Sequence, residues 1–125
     1  MLNEILLYAG SVVILIWGIA HLVPTRSIVN GFGAISEDNR KIIAMESMAE
    51  GLTLCFVGVL VLLVTTLGDP GSRTAFVVYV ACAGMLLVMA VLTAMTGART
   101  SILPYKICPV VKTVVAILFF LGSLL

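Results

Sequence analysis

The sequence predicts an all-α integral membrane protein, a four-helix transmembrane bundle with a short interfacial helix in its first connection. Three observations lead there. Of the 125 residues, 62% are hydrophobic and 10% charged, with a mean hydropathy of +1.25. A soluble domain is about 45–50% apolar and about 25% charged, so this chain has too few charges to cover a soluble surface. The apolar residues fall in long runs, not in a helical stripe, and they do not alternate as barrel strands do. Four of those runs approach the roughly 20 residues that a helix needs to cross a hydrocarbon core about 30 Å thick.

The first run covers residues 5–23 and ends before Pro24. Met1-Leu2-Asn3-Glu4 precedes it, without the positive region or cleavage site of a signal peptide, so the run is expected to stay as a span. The second run, residues 42–67, is closed by the turn residues Gly68-Asp69-Pro70-Gly71. The third, residues 74–96, meets Gly97 as an expected C-terminal cap, and the fourth is residues 109–125, beginning at a proline. A single transmembrane domain accounts for the whole chain. Small residues at helical spacing, Gly10 with Gly18, Gly51 with Gly58 and Ala90 with Ala94, suit close contact between helices.

Lys and Arg give the orientation. Arg26, Arg40, Lys41, Arg99, Lys106 and Lys112 lie in or beside connections one and three, and only Arg73 lies in connection two. The positive-inside rule then places connections one and three in the cytoplasm and both termini outside, in a plasma (inner) membrane.

Connection one is apolar for a solvent-facing loop. From Pro24 to Ile35 it reads PTRSIVNGFGAI, which predicts a short helix capped by Thr25 and ending at Gly31. Ile28, Val29, Phe32 and Ile35 would turn to the membrane surface, and Gly31-Phe32-Gly33 would act as a hinge. Ser36 reads as the N-cap of a second spanning helix that starts near Glu37, with Glu37 and Asp38 suiting the helix dipole.

Ionisable groups inside spans are costly, which makes each a functional candidate. These are His21, Glu46, Glu50 and Lys112, all toward the cytoplasmic ends of their helices. Glu46 and Glu50, spaced i, i+4, share a helix face, and two such carboxylates need a cation between them. Lys112, Arg99 or a metal ion held also by His21 would serve. For a metal, the signal is weak: one histidine and no HxxxH or ExxH motif, so neither metal nor cofactor is expected. A haem finds no CxxCH motif and no second intramembrane histidine. His21 with Trp17 one turn earlier reads as an interfacial anchor. Met45 and Met48 read as core filler, and Cys55, Cys82 and Cys108, with no CxxC spacing, as inert buried thiols. Arg40 and Lys41 read as orientation signals and surface ion pairs; alternatively, Asp38, Asn39 and Arg40 would fold over the cytoplasmic mouth and complete the site.

In size the chain is similar to the small multidrug resistance transporters, which dimerise around a glutamate of the first helix. Here the first span has no acid in its hydrocarbon stretch. The small sterol-isomerase-like membrane proteins also combine His and Glu in a bundle, with no motif shared residue by residue. No family is assigned. Three functions are compatible with these residues. The first is an accessory or interaction subunit in which the Glu/His/Lys groups form a structural cluster. The second is a protein that binds, or an enzyme that acts on, a lipid-like or quinone-like amphiphile. The third is a proton-coupled exporter using Glu50. Expected partners are membrane lipids and a homo-oligomer or larger membrane complex. A net charge of +1 argues against nucleic acid.

Overall fold

Four helices long and apolar enough to cross a membrane carry the structure, a computed structural model covering residues 1–125. They are α1 (Leu2–Leu22), α3 (Glu37–Leu67), α4 (Arg73–Met95) and α5 (Leu103–Leu124); a short α2 (Thr25–Asn30) follows α1, and a 3-10 turn, Gly97–Arg99, follows α4. There are no strands, and the four long helices form a bundle whose outward residues, among them Phe56, Leu63, Val88 and Val91, are apolar and exposed.

Local chemistry sets most of the boundaries. Ser36 caps α3 by accepting the Asn39 N–H at 3.1 Å, with Glu37 and Asp38 in the positive first turn. At 31 residues, α3 is about 46 Å long, well beyond a bilayer core. Asp69 Oδ1 accepts the Gly71 N–H at 3.0 Å in the tight turn, and Ser72 Oγ caps α4 on Ala75 N–H at 3.1 Å.

The structure corrects four sequence expectations. Thr25 does not cap α2; Pro24 holds that position. The Thr25 hydroxyl points back and donates toward the carbonyls of Leu22 (3.0 Å) and His21 (3.3 Å), tying α2 to the end of α1. Thr96, not Gly97, closes α4, because the chain tightens at once into the 3-10 turn. The fourth long helix starts at Leu103, six residues before the expected Pro109. Pro104 takes the first-turn place that suits proline, and Pro109 sits inside, where it has no N–H to give the carbonyl four residues back. Met45 and Met48 are exposed on the outer face of α3 and fill no core. The expected surface residues of connection one also divide: Phe32 is exposed, Ile28 and Ile35 are half-buried, and Val29 is buried.

Packing runs in the order α3, α1, α5, α4, and the ring is not closed, since α3 and α4 touch sparsely. The tightest seam is α1 on α3. A Cβ built on Gly18 would stand 2.8 Å from the Cys55 nitrogen and 2.9 Å from the Gly51 carbonyl oxygen, so these backbones approach as closely as glycine allows. Leu7, Ile14, Leu54, Val61, Leu86, Val115 and Phe119 fill the centre.

Where α3 and α4 do meet, near the Asp69 turn, a polar link bridges them. The Thr65 and Tyr79 hydroxyls are 3.0 Å apart and both buried, and Thr65 also donates to the Val61 carbonyl at 2.7 Å. Tyr79→Phe removes the bridge and leaves Thr65 its backbone acceptor. The expected cost is about 1 kcal/mol, read as a lower midpoint in denaturant unfolding of the detergent-solubilised protein. Toward the α2 end, the space between the two helices opens into a cavity.

Candidate functional site

Each long helix sends polar side chains to one level of the bundle. Lys112, from the third turn of α5, is fully buried, and its ammonium donates to Glu50 Oε1 of α3 and to Thr93 Oγ1 of α4, the latter at 2.9 Å. It lies deeper in its helix than a start at residue 109 would place it, because α5 begins at Leu103. Thr93 in turn donates to the Met89 carbonyl at 2.9 Å, fixing the hydroxyl as an acceptor for the lysine. A charged pair at low dielectric persists where hydrogen bonds satisfy its remaining atoms, and no buried side-chain polar atom here lacks a partner.

α1 supplies the other half. His21 Nε2 is 4.0 Å from Glu50 Oε1 and 3.7 Å from Cys108 Sγ, while Nδ1 is 2.9 Å from the Trp17 carbonyl oxygen. A carbonyl only accepts, so Nδ1 carries the proton, and in the neutral ring the Nε2 lone pair is the acceptor for the Cys108 thiol. The Trp17 indole N–H donates to Cys108 Sγ at 3.3 Å, and its ring meets the imidazole edge-on at 5.7 Å between centroids. Trp17 and His21 are therefore an orienting pair inside the bundle, more than the interfacial anchor expected.

A cavity of about 480 Å³ lies over this level between α3 and α4. Its polar base is formed by Glu50, Lys112, His21 and Thr93, and its walls by apolar groups such as Ile43, Met89 and Leu92, with Tyr105 of α5. Ile28 and Phe32, on and just after α2, line its outer part. The i, i+4 spacing of the glutamates holds in that both line this cavity, yet their roles separate. Glu50 is paired with Lys112 at the base, whereas Glu46 is exposed and makes no ion pair. Arg99 is exposed in the 3-10 turn and pairs with neither glutamate. Of the candidates read from the sequence, His21, Glu50 and Lys112 come together, and Glu46 and Arg99 do not join them.

Cys108 is the residue that sequence reading missed. Two i, i+4 pairs meet here, Trp17/His21 and Cys108/Lys112, and the latter would have put the thiol on the lysine's face of its helix. Thr93 carries no comparable signal, because a threonine within an apolar span most often bonds its own backbone. The potential ligand atoms that cluster are those of His21, Glu50 and Cys108, all within 4.8 Å of one another, and not the set of His21, Glu46 and Glu50 that the sequence offered as a weak signal.

Chemically, the site offers a carboxylate, an ammonium, an oriented imidazole and a hydroxyl at the base of an apolar recess, suited to gripping a compact polar group attached to an apolar body. Comparison with known protein families, with curated proteins and with solved structures finds no match to the chain.

Proposed function

We propose that the protein binds a membrane amphiphile, lipid-like or quinone-like, that enters sideways between α3 and α4 and sets its polar head on Glu50 and Lys112. The observation that carries this reading is the cavity with its charged base. An ion pair serving only to fix helix register is best sealed by packing, because exposure to a cavity weakens it. Here the Lys112 side chain is wholly buried while that of Glu50 keeps 30% of its surface exposed, toward the cavity it lines. This arrangement moves the reading from an accessory subunit, the first expectation from sequence, to amphiphile binding.

In this reading the Lys112 ammonium donates to a carbonyl, hydroxylate or phosphate oxygen of the head, and Glu50 accepts from its hydroxyl or N–H. His21 adds an acceptor at Nε2. The sparse α3–α4 contact provides the entry, with the Thr65–Tyr79 bridge holding the far end together. The α2 end faces the cytoplasm of a plasma membrane. Arg26, Arg40, Lys41, Arg99 and Lys106 lie at that end against Arg73 at the other, which supports this orientation under the positive-inside rule.

Photo-crosslinking in native membranes tests the entry. A photoreactive residue in place of Leu92, on the cavity wall, is expected to capture one dominant amphiphile. The same residue in place of Leu124, at the exposed end of α5, is expected to capture bulk lipid in proportion to its abundance. Identical adduct mixtures at the two positions would contradict the proposal.

A further inference from the structure

We propose that His21, Cys108 and Glu50 form a binding site for a divalent cation of zinc type, one ion per chain, beside the base of the cavity. An imidazole nitrogen, a thiolate and a carboxylate are the donor types that such an ion takes. The three are drawn from three different helices, α1, α5 and α3, so the fold and not local sequence assembles them. Tetrahedral zinc with bonds of about 2.0–2.3 Å requires nitrogen and sulfur ligands roughly 3.5 Å apart. His21 Nε2 and Cys108 Sγ stand at 3.7 Å, close to that requirement. Glu50 Oε1 is 4.0 Å from His21 Nε2 and the whole set lies within 4.8 Å, so the carboxylate must draw in by roughly an ångström as the ion binds.

The surrounding groups are also those of a metal centre. A metal-binding histidine characteristically gives its second ring N–H to an acceptor that fixes the tautomer, and the Trp17 carbonyl does this for His21. The Trp17 indole N–H on Cys108 Sγ stabilises negative charge on sulfur, which a coordinating thiolate carries. Three protein ligands leave one tetrahedral position, as in catalytic zinc sites. Glu50 and His21 line the cavity and Cys108 lies behind them, so a fourth ligand would arrive from the cavity.

Lys112 decides how the ion binds. Its ammonium holds Glu50, and an arriving cation takes the carboxylate from it, leaving the lysine its bond to Thr93. Binding also releases the Cys108 thiol proton, since the ligand is the thiolate, so affinity rises with pH. This inference uses the same site as the proposed amphiphile but does not require that molecule.

Co²⁺ is the probe, because cobalt bound to a thiolate shows a sulfur-to-metal charge-transfer absorption that oxygen or nitrogen ligands alone do not give. The full chain, purified in detergent, is stripped with chelator and titrated with Co²⁺. The expected result is a charge-transfer band saturating at one Co²⁺ per chain and reversed by Zn²⁺. Cys108→Ser abolishes the band, and His21→Ala weakens binding at least tenfold. Cys55→Ser and Cys82→Ser retain the band, and each variant's helicity is checked by circular dichroism. Lys112→Met, with the competing cation gone, is expected to bind at least threefold more tightly. Absence of the band in the folded wild-type chain at millimolar Co²⁺, or its persistence in Cys108→Ser, would overturn the site. Either result leaves amphiphile binding to be judged by its own crosslinking readout.

Discussion

Glu50→Leu is expected to destabilise the bundle by about 3 kcal/mol, near the lower end of the range for breaking a buried ion pair from one side. The penalty arises from Lys112, fully buried and left with a single neutral partner, Thr93. The reciprocal change is milder. Lys112→Leu strands a carboxylate whose side chain keeps 30% of its surface exposed, so hydration from the cavity limits the cost to roughly 1–2 kcal/mol. Replacing both residues by leucine removes both stranded charges, and well-packed apolar replacements for a buried pair are commonly neutral or stabilising. The double variant should therefore unfold near the wild-type midpoint while losing the amphiphile. Unfolding in detergent, followed by circular dichroism, gives the three stabilities. Equal costs for the two single variants would contradict the burial asymmetry on which this rests.

Gly18→Ala is expected to cost about 2 kcal/mol and to damage the site as well as the seam. The new methyl would lie 2.7 Å from Cys55 Sγ, 2.8 Å from the Cys55 nitrogen and 2.9 Å from the Gly51 oxygen. Two of those atoms are backbone and cannot rotate away, so α1 and α3 must separate. His21 lies one turn beyond Gly18, and Glu50 immediately precedes Gly51, so separation carries the imidazole away from the carboxylate. Gly84→Ala is the matched control. A Cβ there meets nothing within 4 Å, and alanine is the better helix former, so stability should hold or rise by about 0.5–1 kcal/mol. A Gly18→Ala protein as stable as the wild type would show that the α1–α3 seam is looser than its atoms imply.

The two variants also show what the sequence made legible. Composition and run length determine the four long helices, because hydrocarbon tolerates few alternatives. Ser36 with Glu37 and Asp38 marks the start of α3 because capping is a local interaction. Pro109 misled: proline marks a helix start only when nothing upstream can supply one, and Pro104 does so for α5. The positions of Glu46 and Glu50 along α3 were likewise readable, since they follow from a known start and rise, whereas Lys112 lies deeper than its expected place because α5 begins earlier.

Helix rotation was not readable, and rotation selects the site. Glu46 and Glu50 share a face of α3, and the sequence already favoured Glu50 as the deeper of the two. Only the packed rotation of α5 brings Lys112 onto that carboxylate and leaves Glu46, one turn away, exposed. Arg99 was a reasonable partner by depth, but the 3-10 turn that follows Thr96 leaves it outward. Cys108 entered the cluster through contacts with Trp17 and His21, more than eighty residues earlier in the chain, which no local pattern encodes. The open side of the bundle is equally non-local: adjacent α3 and α4, joined by a tight turn, are the pair that hardly touches.

Native mass spectrometry of the protein, extracted gently from its own membranes, tests the central claim most directly. Wild-type chain should carry a stoichiometric amphiphile adduct, one per chain, which is lost in Glu50→Leu/Lys112→Leu while that variant remains folded. Wild-type chain released with no small-molecule adduct, or a double variant that keeps the same adduct at the same occupancy, would contradict an amphiphile site at Glu50 and Lys112.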